Sequence, residues 1–192
     1  MPSKRTIDSN CGVYFITFTN INWMPLFEIT NTYNLIYNWF NILKKLGNYI
    51  LGYVIMPNHV HIIVAFVKSD KSINKIIGDG KRFMAYGIIK ELNQKNRIDI
   101  LNQLESFLSN NERKYNKQHK VFENSFYWIE CHSRKFIEQK LDYMHNNPCV
   151  SKWNLATTIV DYKHSSARFY ITNYANKYVT HYLELEDIDL SL

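Results

Sequence analysis

Cysteine is scarce in this 192-residue chain, and its three cysteines form no recognisable pattern. Cys11, Cys131 and Cys149 contain no Cys-x-x-Cys pair and no even-numbered framework. Their spacing excludes a small scaffold held by disulfides and a zinc site built from cysteines. We therefore expect the protein in a reduced, cytoplasmic compartment.

The chain also lacks long hydrophobic runs, low-complexity tracts and internal repeats. No segment approaches the about 18 to 20 uninterrupted apolar residues of a membrane span, and residues 1–10 lack the apolar stretch of a secretory signal. We therefore expect no membrane partner. The length fits one domain, which we place at 1–192, with a core at about 12–148 and a C-terminal tail at 149–192.

Positive charge and aromatic side chains are abundant. The formal net charge is +6, and the chain has 14 tyrosines and 11 phenylalanines. A basic surface with exposed rings suits a polyanion whose bases can stack, as in nucleic acids. In the alternative interpretation most of the rings simply fill the core, and composition alone does not decide between the two.

Two histidines separated by one residue are the most informative local feature. His59 and His61 begin a run of β-branched and apolar residues, 59–66, that predicts a strand. Successive side chains of a strand point to opposite faces, so the two imidazoles share one face and Val60 anchors the other. The pair forms half of a metal site. The alternative is two hydrogen-bonded or solvated histidines with no metal.

The order of apolar patterns predicts an α+β fold. The predicted elements are strand 12–19, helix 32–45, strands 48–56 and 59–66, helix 72–94 with Ser72 as its N-cap, a short helix within 98–108, a strand within 120–127 and helix 133–146. Without the short helix, this is the split β-α-β order of a ferredoxin-like antiparallel sheet with its helices on one face. His59 and His61 would then lie on the open face.

The last predicted helix carries a second group of reactive side chains. Tyr143 and Asn147 are four residues apart and share one helical face. A tyrosine hydroxyl can attack phosphorus, and a divalent ion assists by stabilising charge on the phosphate. The asparagine carbonyl is an oxygen ligand suited to Mg²⁺ or Mn²⁺. The alternatives are a packed tyrosine and a helix cap before proline.

Together these motifs resemble those of a known family. Met56-Pro-Asn-His-Val-His-Ile-Ile-Val64 resembles the His-hydrophobe-His (HUH) signature of single-tyrosine transposases of small insertion sequences. Phe136-Ile-Glu-Gln-Lys-Leu-Asp-Tyr-Met-His-Asn-Asn-Pro148 is similar to the tyrosine helix of their REP-associated branch. Asp161-Tyr-Lys-His-Ser-Ser-Ala-Arg-Phe-Tyr170 also resembles that branch. The resemblance covers about 12–170, but Cys149-Val-Ser-Lys-Trp153 departs from the usual hydrophobe-x-x-Gly ending.

The resemblance implies a metal-dependent transposase that cleaves and rejoins single-stranded DNA at hairpin-forming sequences. Tyr143 would be the catalytic nucleophile, forming a 5′-phosphotyrosine link and freeing a 3′-hydroxyl. His59 and His61 would bind Mg²⁺ or Mn²⁺, with Asn147 as third ligand where the family commonly has glutamine. We expect a homodimer in the cytoplasm, associated with the nucleoid. The sequence leaves open whether Tyr143 serves its own histidines or those of a partner subunit.

Four basic residues are the candidates for contacts with the hairpin DNA: Lys81, Arg82, Lys163 and Arg168. Two alternative functions remain at this stage. The first is a domesticated protein that binds hairpin DNA but does not cut it. The second is a metal hydrolase of a small molecule, which would need a further carboxylate or histidine near the pair and would give Tyr143 no role.

Overall fold

The computed structural model describes residues 6–187 and is built on a four-stranded antiparallel sheet. The strands are β1 Gly12–Thr19, β2 Tyr49–Ile55, β3 His59–Phe66 and β4 Tyr127–Glu130. Their order across the sheet is β2-β3-β1-β4. This order confirms the ferredoxin-like architecture. The outermost residues of the predicted domain, 1–5 and 188–192, lie outside the described part.

Seven α-helices of the described chain accompany the sheet: α1 Leu26–Thr30, α2 Tyr33–Lys45, α3 Ile73–Gln94, α4 Ile98–Ser106, α5 Asn110–Lys114, α6 Arg134–Asn146 and α7 Ala167–Thr172. The predicted helices at 32–45, 72–94 and 133–146 are confirmed as α2, α3 and α6. Ser72 caps α3 as predicted, because its side chain accepts a hydrogen bond from the backbone of Lys75.

One face of the sheet packs against α2 and α3. Successive side chains of β3 point to opposite faces, so Val60, Ile62 and Val64 lie here, in one cluster with buried rings such as Trp39 and Phe40 of α2. This arrangement confirms the predicted apolar face of the histidine strand. The main hydrophobic core therefore lies on the side of the sheet away from the two histidines.

The fourth strand lies later than predicted. The apolar residues Val121 and Phe122 suggested a strand within 120–127, but the structure places β4 at Tyr127–Glu130. Val121 and Phe122 are buried, yet their backbone forms only an isolated bridge with Asn20 beyond the end of β1. These two residues are apolar because they are buried at the end of the sheet, and this burial does not require them to pair in a strand.

The histidine face of the sheet is not open. The prediction that His59 and His61 lie on an open face is therefore wrong. The tyrosine helix α6 packs on it, and its Leu141 and Met144 are buried in a cluster with Leu51 and Val54 of β2 and Ile63 of β3. Both faces of β2 and β3 are therefore covered. The continuous apolar run of β3 is typical of a strand buried on both sides.

Gly52 of β2 allows α6 to approach this closely. A Cβ atom at this position would collide with the Leu141 side chain and lie 3.0 Å from Met144 Cε. Both are side chains of α6, so a larger residue here would require them to move. The absence of a side chain at Gly52 thus leaves room for the tyrosine helix to pack on the sheet.

The C-terminal segment follows the outer edge of β2. The backbone N–H of Ile55 donates to the His164 carbonyl at 2.8 Å, and that of Ser166 donates to the Tyr53 carbonyl at 2.9 Å. Further along, Thr180 donates to Ile50 at 2.9 Å. These bonds satisfy backbone groups that a free edge strand would expose.

Candidate active site

His59 and His61 lie side by side on β3, as the alternation predicted. Their Nε2 atoms are 3.1 Å apart, and their side chains are buried, with only 3% and 5% exposure. The register of the sheet places His59 opposite Thr19 and His61 opposite Thr17 of β1. The pair is thus held on a rigid central strand, with both Nε2 atoms facing each other.

The hydrogen-bond partners of the two Nδ1 atoms determine the protonation state of the two Nε2 atoms. Nδ1 of His59 is 2.6 Å from Asn58 Oδ1, and Nδ1 of His61 is 2.6 Å from Thr17 Oγ1. An amide oxygen only accepts, so His59 donates from Nδ1 and keeps a lone pair on Nε2. The Thr17 hydroxyl can accept in the same way from His61. Partners of this kind orient histidines that bind metals.

Both imidazoles are neutral at physiological pH. Burial lowers the pKa of His59 to about 4, and the charge of Lys152 acts in the same direction. Burial also holds the pKa of His61 well below its usual range, with contributions from His59 and Lys140. An unprotonated imidazole is the form that binds a metal ion. The two Nε2 atoms are therefore in the protonation state that a divalent ion would require of its ligands.

Tyr143 meets this pair within the same chain. Its ring centroid is 5.4 Å from that of His61 and 6.1 Å from that of Phe15, while 53% of the residue remains exposed. The helical position of Tyr143 on α6 and the packing of α6 on the sheet produce this contact. Within this chain, therefore, the tyrosine lies beside His61 of its own sheet.

Asn147 follows α6, one helical turn beyond Tyr143. Its Nδ2 atom is buried and has no hydrogen-bond partner among the described residues. A half-turn of the amide would exchange Nδ2 for the carbonyl oxygen, a hard ligand for Mg²⁺ or Mn²⁺. Between residues 6 and 187, no group of three histidine, cysteine, aspartate or glutamate side chains could hold a metal. A third protein ligand would thus have to be a neutral group such as this amide.

Two lysines that were not among the predicted site residues flank the histidines. Lys140 Nζ is 5.2 Å from the Phe15 ring centroid and 5.9 Å from that of Tyr143. Lys152 Nζ lies 5.4 Å from the ring of Trp23 and 5.0 Å from that of Trp153. The spacing of Lys140, one turn before Tyr143, could have revealed it, but no sequence signal identifies Lys152. These cations favour an anion beside the histidine pair.

The four predicted DNA contacts lie elsewhere. Lys81 and Arg82 belong to α3, on the other side of the sheet, where Lys81 donates to the Glu123 carbonyl at 2.8 Å and Arg82 pairs with Asp79 at 3.0 Å. Lys163 and Arg168 are exposed on the C-terminal segment along β2. The structure therefore separates the four residues into two groups, and neither contains a residue in contact with the histidine pair.

A further buried histidine ties α6 to the C-terminal segment. His145, two residues after Tyr143, has its Nε2 atom 2.8 Å from Ser166 Oγ. The Ser166 hydroxyl also lies 2.9 Å from the backbone N–H of Tyr53 and 3.2 Å from its carbonyl. Ser166 belongs to the run 161–170 whose sequence resembles the REP-associated branch. The serine thus connects the tyrosine helix to the edge of β2.

We expect acid to destabilise the protein partly through His145. Burial lowers the pKa of His145 to about 4, whereas in an unfolded chain it lies near 6.5. Its contribution to stability is thus complete above about pH 6.5 and declines as the pH falls towards 4. Between pH 7 and pH 5 the loss is about 2 kcal/mol. Urea unfolding of wild type and His145→Gln at both pH values measures it.

The variant loses the bond to Ser166 and is less stable at pH 7, so the comparison rests on the difference between the two pH values. That difference should be smaller by about 2 kcal/mol in His145→Gln. Because burial also lowers the pKa of His59 and His164 to about 4, the variant retains some acid sensitivity. Equal pH dependence of the two proteins would contradict the assignment.

Comparison with solved structures identifies the class of fold around this site. The structure of a REP-associated tyrosine transposase bound to a REP hairpin matches with a TM-score of 0.61 and 14% identity, over 95% of this chain and 96% of that chain. A candidate transposase from Deinococcus radiodurans R1 has a TM-score of 0.42 and 14% identity, over 76% of this chain and 97% of that chain. No sequence-family model and no curated protein sequence matches.

The first of these likenesses confirms the resemblance inferred from the motifs at the level of the fold. This α+β chain has the architecture of a REP-associated tyrosine transposase, with its four-stranded antiparallel sheet. Within residues 6–187, no helix is both long and apolar enough to pass through a membrane.

Proposed function

We propose that this protein cleaves and rejoins single-stranded DNA at hairpin-forming sequences through a 5′-phosphotyrosine intermediate on Tyr143. The observation that carries the proposal is the position of the Tyr143 ring, 5.4 Å from the ring of His61 and exposed to solvent, in one chain. A packed helix tyrosine would be covered. The Tyr143 ring is instead accessible to a DNA strand from solvent.

In the proposed reaction the Tyr143 oxygen attacks a backbone phosphorus atom. The P–O3′ bond breaks, the phenolic proton is lost, and the leaving 3′ oxygen gains a proton, so the product is a 5′-phosphotyrosine and a free 3′-hydroxyl. Attack by a 3′-hydroxyl on that linkage reverses the step without an external energy source. Lys140, close to the Tyr143 ring, is placed to hold the phosphate by its charge.

His59 and His61 would hold Mg²⁺ or Mn²⁺ through their Nε2 atoms, with Asn147 as a further oxygen ligand. When bound, the ion would stabilise negative charge on the phosphate. Asn58 and Thr17 orient the two rings for this task through their contacts with Nδ1. The lack of a third histidine or a carboxylate beside the pair, among the described residues, favours this assignment over a small-molecule hydrolase.

Two DNA ends require two cleavage events, and we propose a homodimer for this purpose. Since Tyr143 contacts His61 of its own chain, each subunit would carry a complete site. A partner would then add a second site and would not be needed to complete the first.

Trapping a covalent adduct tests the proposal. The protein is incubated with Mn²⁺ and a DNA strand that contains a hairpin with unpaired flanks, and the products are separated under denaturing conditions. We expect a protein–DNA band that requires both the unpaired flank and the metal, and that disappears with EDTA or with a blunt duplex of the same sequence. Specific binding without an adduct would indicate the domesticated, non-cleaving alternative.

A further inference from the structure

We propose that Trp23 and Lys152 form a binding site for an unpaired nucleotide, in which the base stacks on the indole of Trp23 and the phosphate pairs with Lys152. The site lies beside His59, and its role in holding the strand next to the cleaved phosphate rests on the proposed function. None of the four basic residues predicted from the sequence belongs to it.

The first support is the conformation of Trp23. Its backbone φ is +56°, in the left-handed region that bulky residues rarely adopt, and 54% of the residue is exposed. Burial therefore does not compensate for the backbone strain. Strained residues of this kind persist where surrounding contacts hold them, and they concentrate at binding sites.

The surrounding contacts connect Trp23 directly to the histidine pair. The side chain of Asn58 donates from Nδ2 to the Trp23 carbonyl at 3.0 Å, and its Oδ1 accepts from His59 Nδ1 at 2.6 Å. The backbone carbonyl of Asn58 also accepts from the N–H of Asn20 at 2.8 Å. One asparagine thus orients His59 and holds the turn that presents the indole.

The second support is the charge and shape around the indole. Lys152 Nζ lies between two indoles, 5.4 Å from the ring of Trp23 and 5.0 Å from that of Trp153, and each of these rings also contacts His59. Lys152 forms no ion pair with a carboxylate of the described chain. A free cation beside an exposed flat ring offers one group for a phosphate and one for a base, which together define a nucleotide.

A ligand with a base and a phosphate explains features that other partners do not. An apolar peptide would offer no anion to pair with Lys152. An acidic peptide would offer no flat group to stack on the solvent-facing indole. Paired bases do not offer free faces for stacking. An unpaired strand, by contrast, fits the site whatever its sequence, because each base has a face that can stack.

The test uses the full-length protein and an unpaired oligonucleotide of eight mixed bases in metal-free buffer. Stacking on an aromatic side chain contributes about 1–3 kcal/mol per base, which corresponds to roughly 5- to 150-fold in affinity. We expect Trp23→Gly to weaken binding by at least fivefold and Trp23→Phe, which keeps a flat ring, to weaken it less. Lys152→Gln should weaken binding. It should also make the slope of log affinity against log salt concentration shallower by the contribution of one phosphate contact.

The glycine variant separates function from folding. Glycine adopts a φ of +56° without strain, and this relief offsets part of the cost of its greater unfolded-state entropy and of the lost ring contacts. Trp23→Gly should therefore still fold, and a thermal scan of the variant checks this. The matched control is Tyr115→Ala, which removes an aromatic side chain that is 88% exposed and has no ring contact with the histidines. Its affinity for the oligonucleotide should equal that of wild type.

Unchanged affinity in Trp23→Gly, or an equal loss in Tyr115→Ala, would overturn the nucleotide site. The result is independent of cleavage. If the oligonucleotide binds through Trp23 but wild type forms no adduct with hairpin DNA, the proposed cleavage is wrong and the nucleotide site stands. If wild type forms the adduct but Trp23→Gly binds the oligonucleotide normally, the proposed cleavage stands and the nucleotide site is wrong.

Discussion

Replacing Tyr143 by phenylalanine should abolish both strand cleavage and the covalent protein–DNA adduct, with a loss of at least a thousandfold in cleavage rate, which corresponds to about 4 kcal/mol. The variant removes one oxygen and keeps the ring that contacts His61 and Phe15. Metal binding, hairpin binding and the unfolding temperature should therefore remain close to those of wild type. Cleavage is measured on an end-labelled hairpin strand.

The matched control for this variant is Tyr127→Phe. Three other tyrosines are possible substitute nucleophiles: Tyr127, Tyr162 and Tyr170. Tyr127 is exposed, whereas Tyr162 and Tyr170 donate from their hydroxyls to the Ile55 and Leu51 carbonyls. Burial raises the pKa of Tyr162 and of Tyr170 above the ordinary range, which makes both of them poor nucleophiles. Mass spectrometry of the adduct identifies the linked residue, and a DNA-linked peptide without Tyr143 would refute the central assignment.

Replacing His59 and His61 together by alanine should remove metal binding and reduce metal-dependent cleavage below detection. A ligand that binds only the folded state raises its stability, by about 2.7 kcal/mol at a hundred times the dissociation constant. Mn²⁺ should thus raise the unfolding temperature of wild type and have no such effect on the double variant. A thermal scan with and without Mn²⁺ measures this directly.

The two histidines are buried, so alanine at both positions leaves cavities and frees the Asn58 and Thr17 side chains. We therefore expect a lower unfolding temperature for the metal-free double variant. His61→Gln keeps most of the volume, and it should fold while responding less to Mn²⁺ than wild type does. Undiminished cleavage in either folded variant would show that the pair is structural and holds no metal.

Local patterns in the sequence were sufficient for much of this fold. The runs of apolar and β-branched residues in β1 and β3 and the helical spacing in α2 and α6 predicted elements that the structure confirms, because these signals depend only on neighbouring residues. The order of the elements then led to the ferredoxin-like sheet. The fourth strand was misplaced because buried residues at the end of the sheet have the same apolar character as paired ones.

The sequence contained a sign that β3 is buried on both faces, and the prediction of an open histidine face did not take it into account. Ile63 and Ala65 share the histidine face and are fully buried, in contact with the cluster that includes Leu141 and Met144 of α6. An exposed face would have carried polar residues at these positions. The sequence thus indicated that a further element covers the histidine face, but not which one.

The sequence by itself determined that two histidines share one face of a strand and that Tyr143 lies on a helix, because both follow from the geometry of neighbouring residues. Only the tertiary structure decided that this helix packs on its own sheet, beside its own histidines. In that packing Leu141 and Met144 of α6 lie against Gly52, which leaves room for them, and His145 contacts Ser166. It also placed Trp23 and Lys152 together at His59. These contacts join residues far apart in the chain, and no local pattern encodes them.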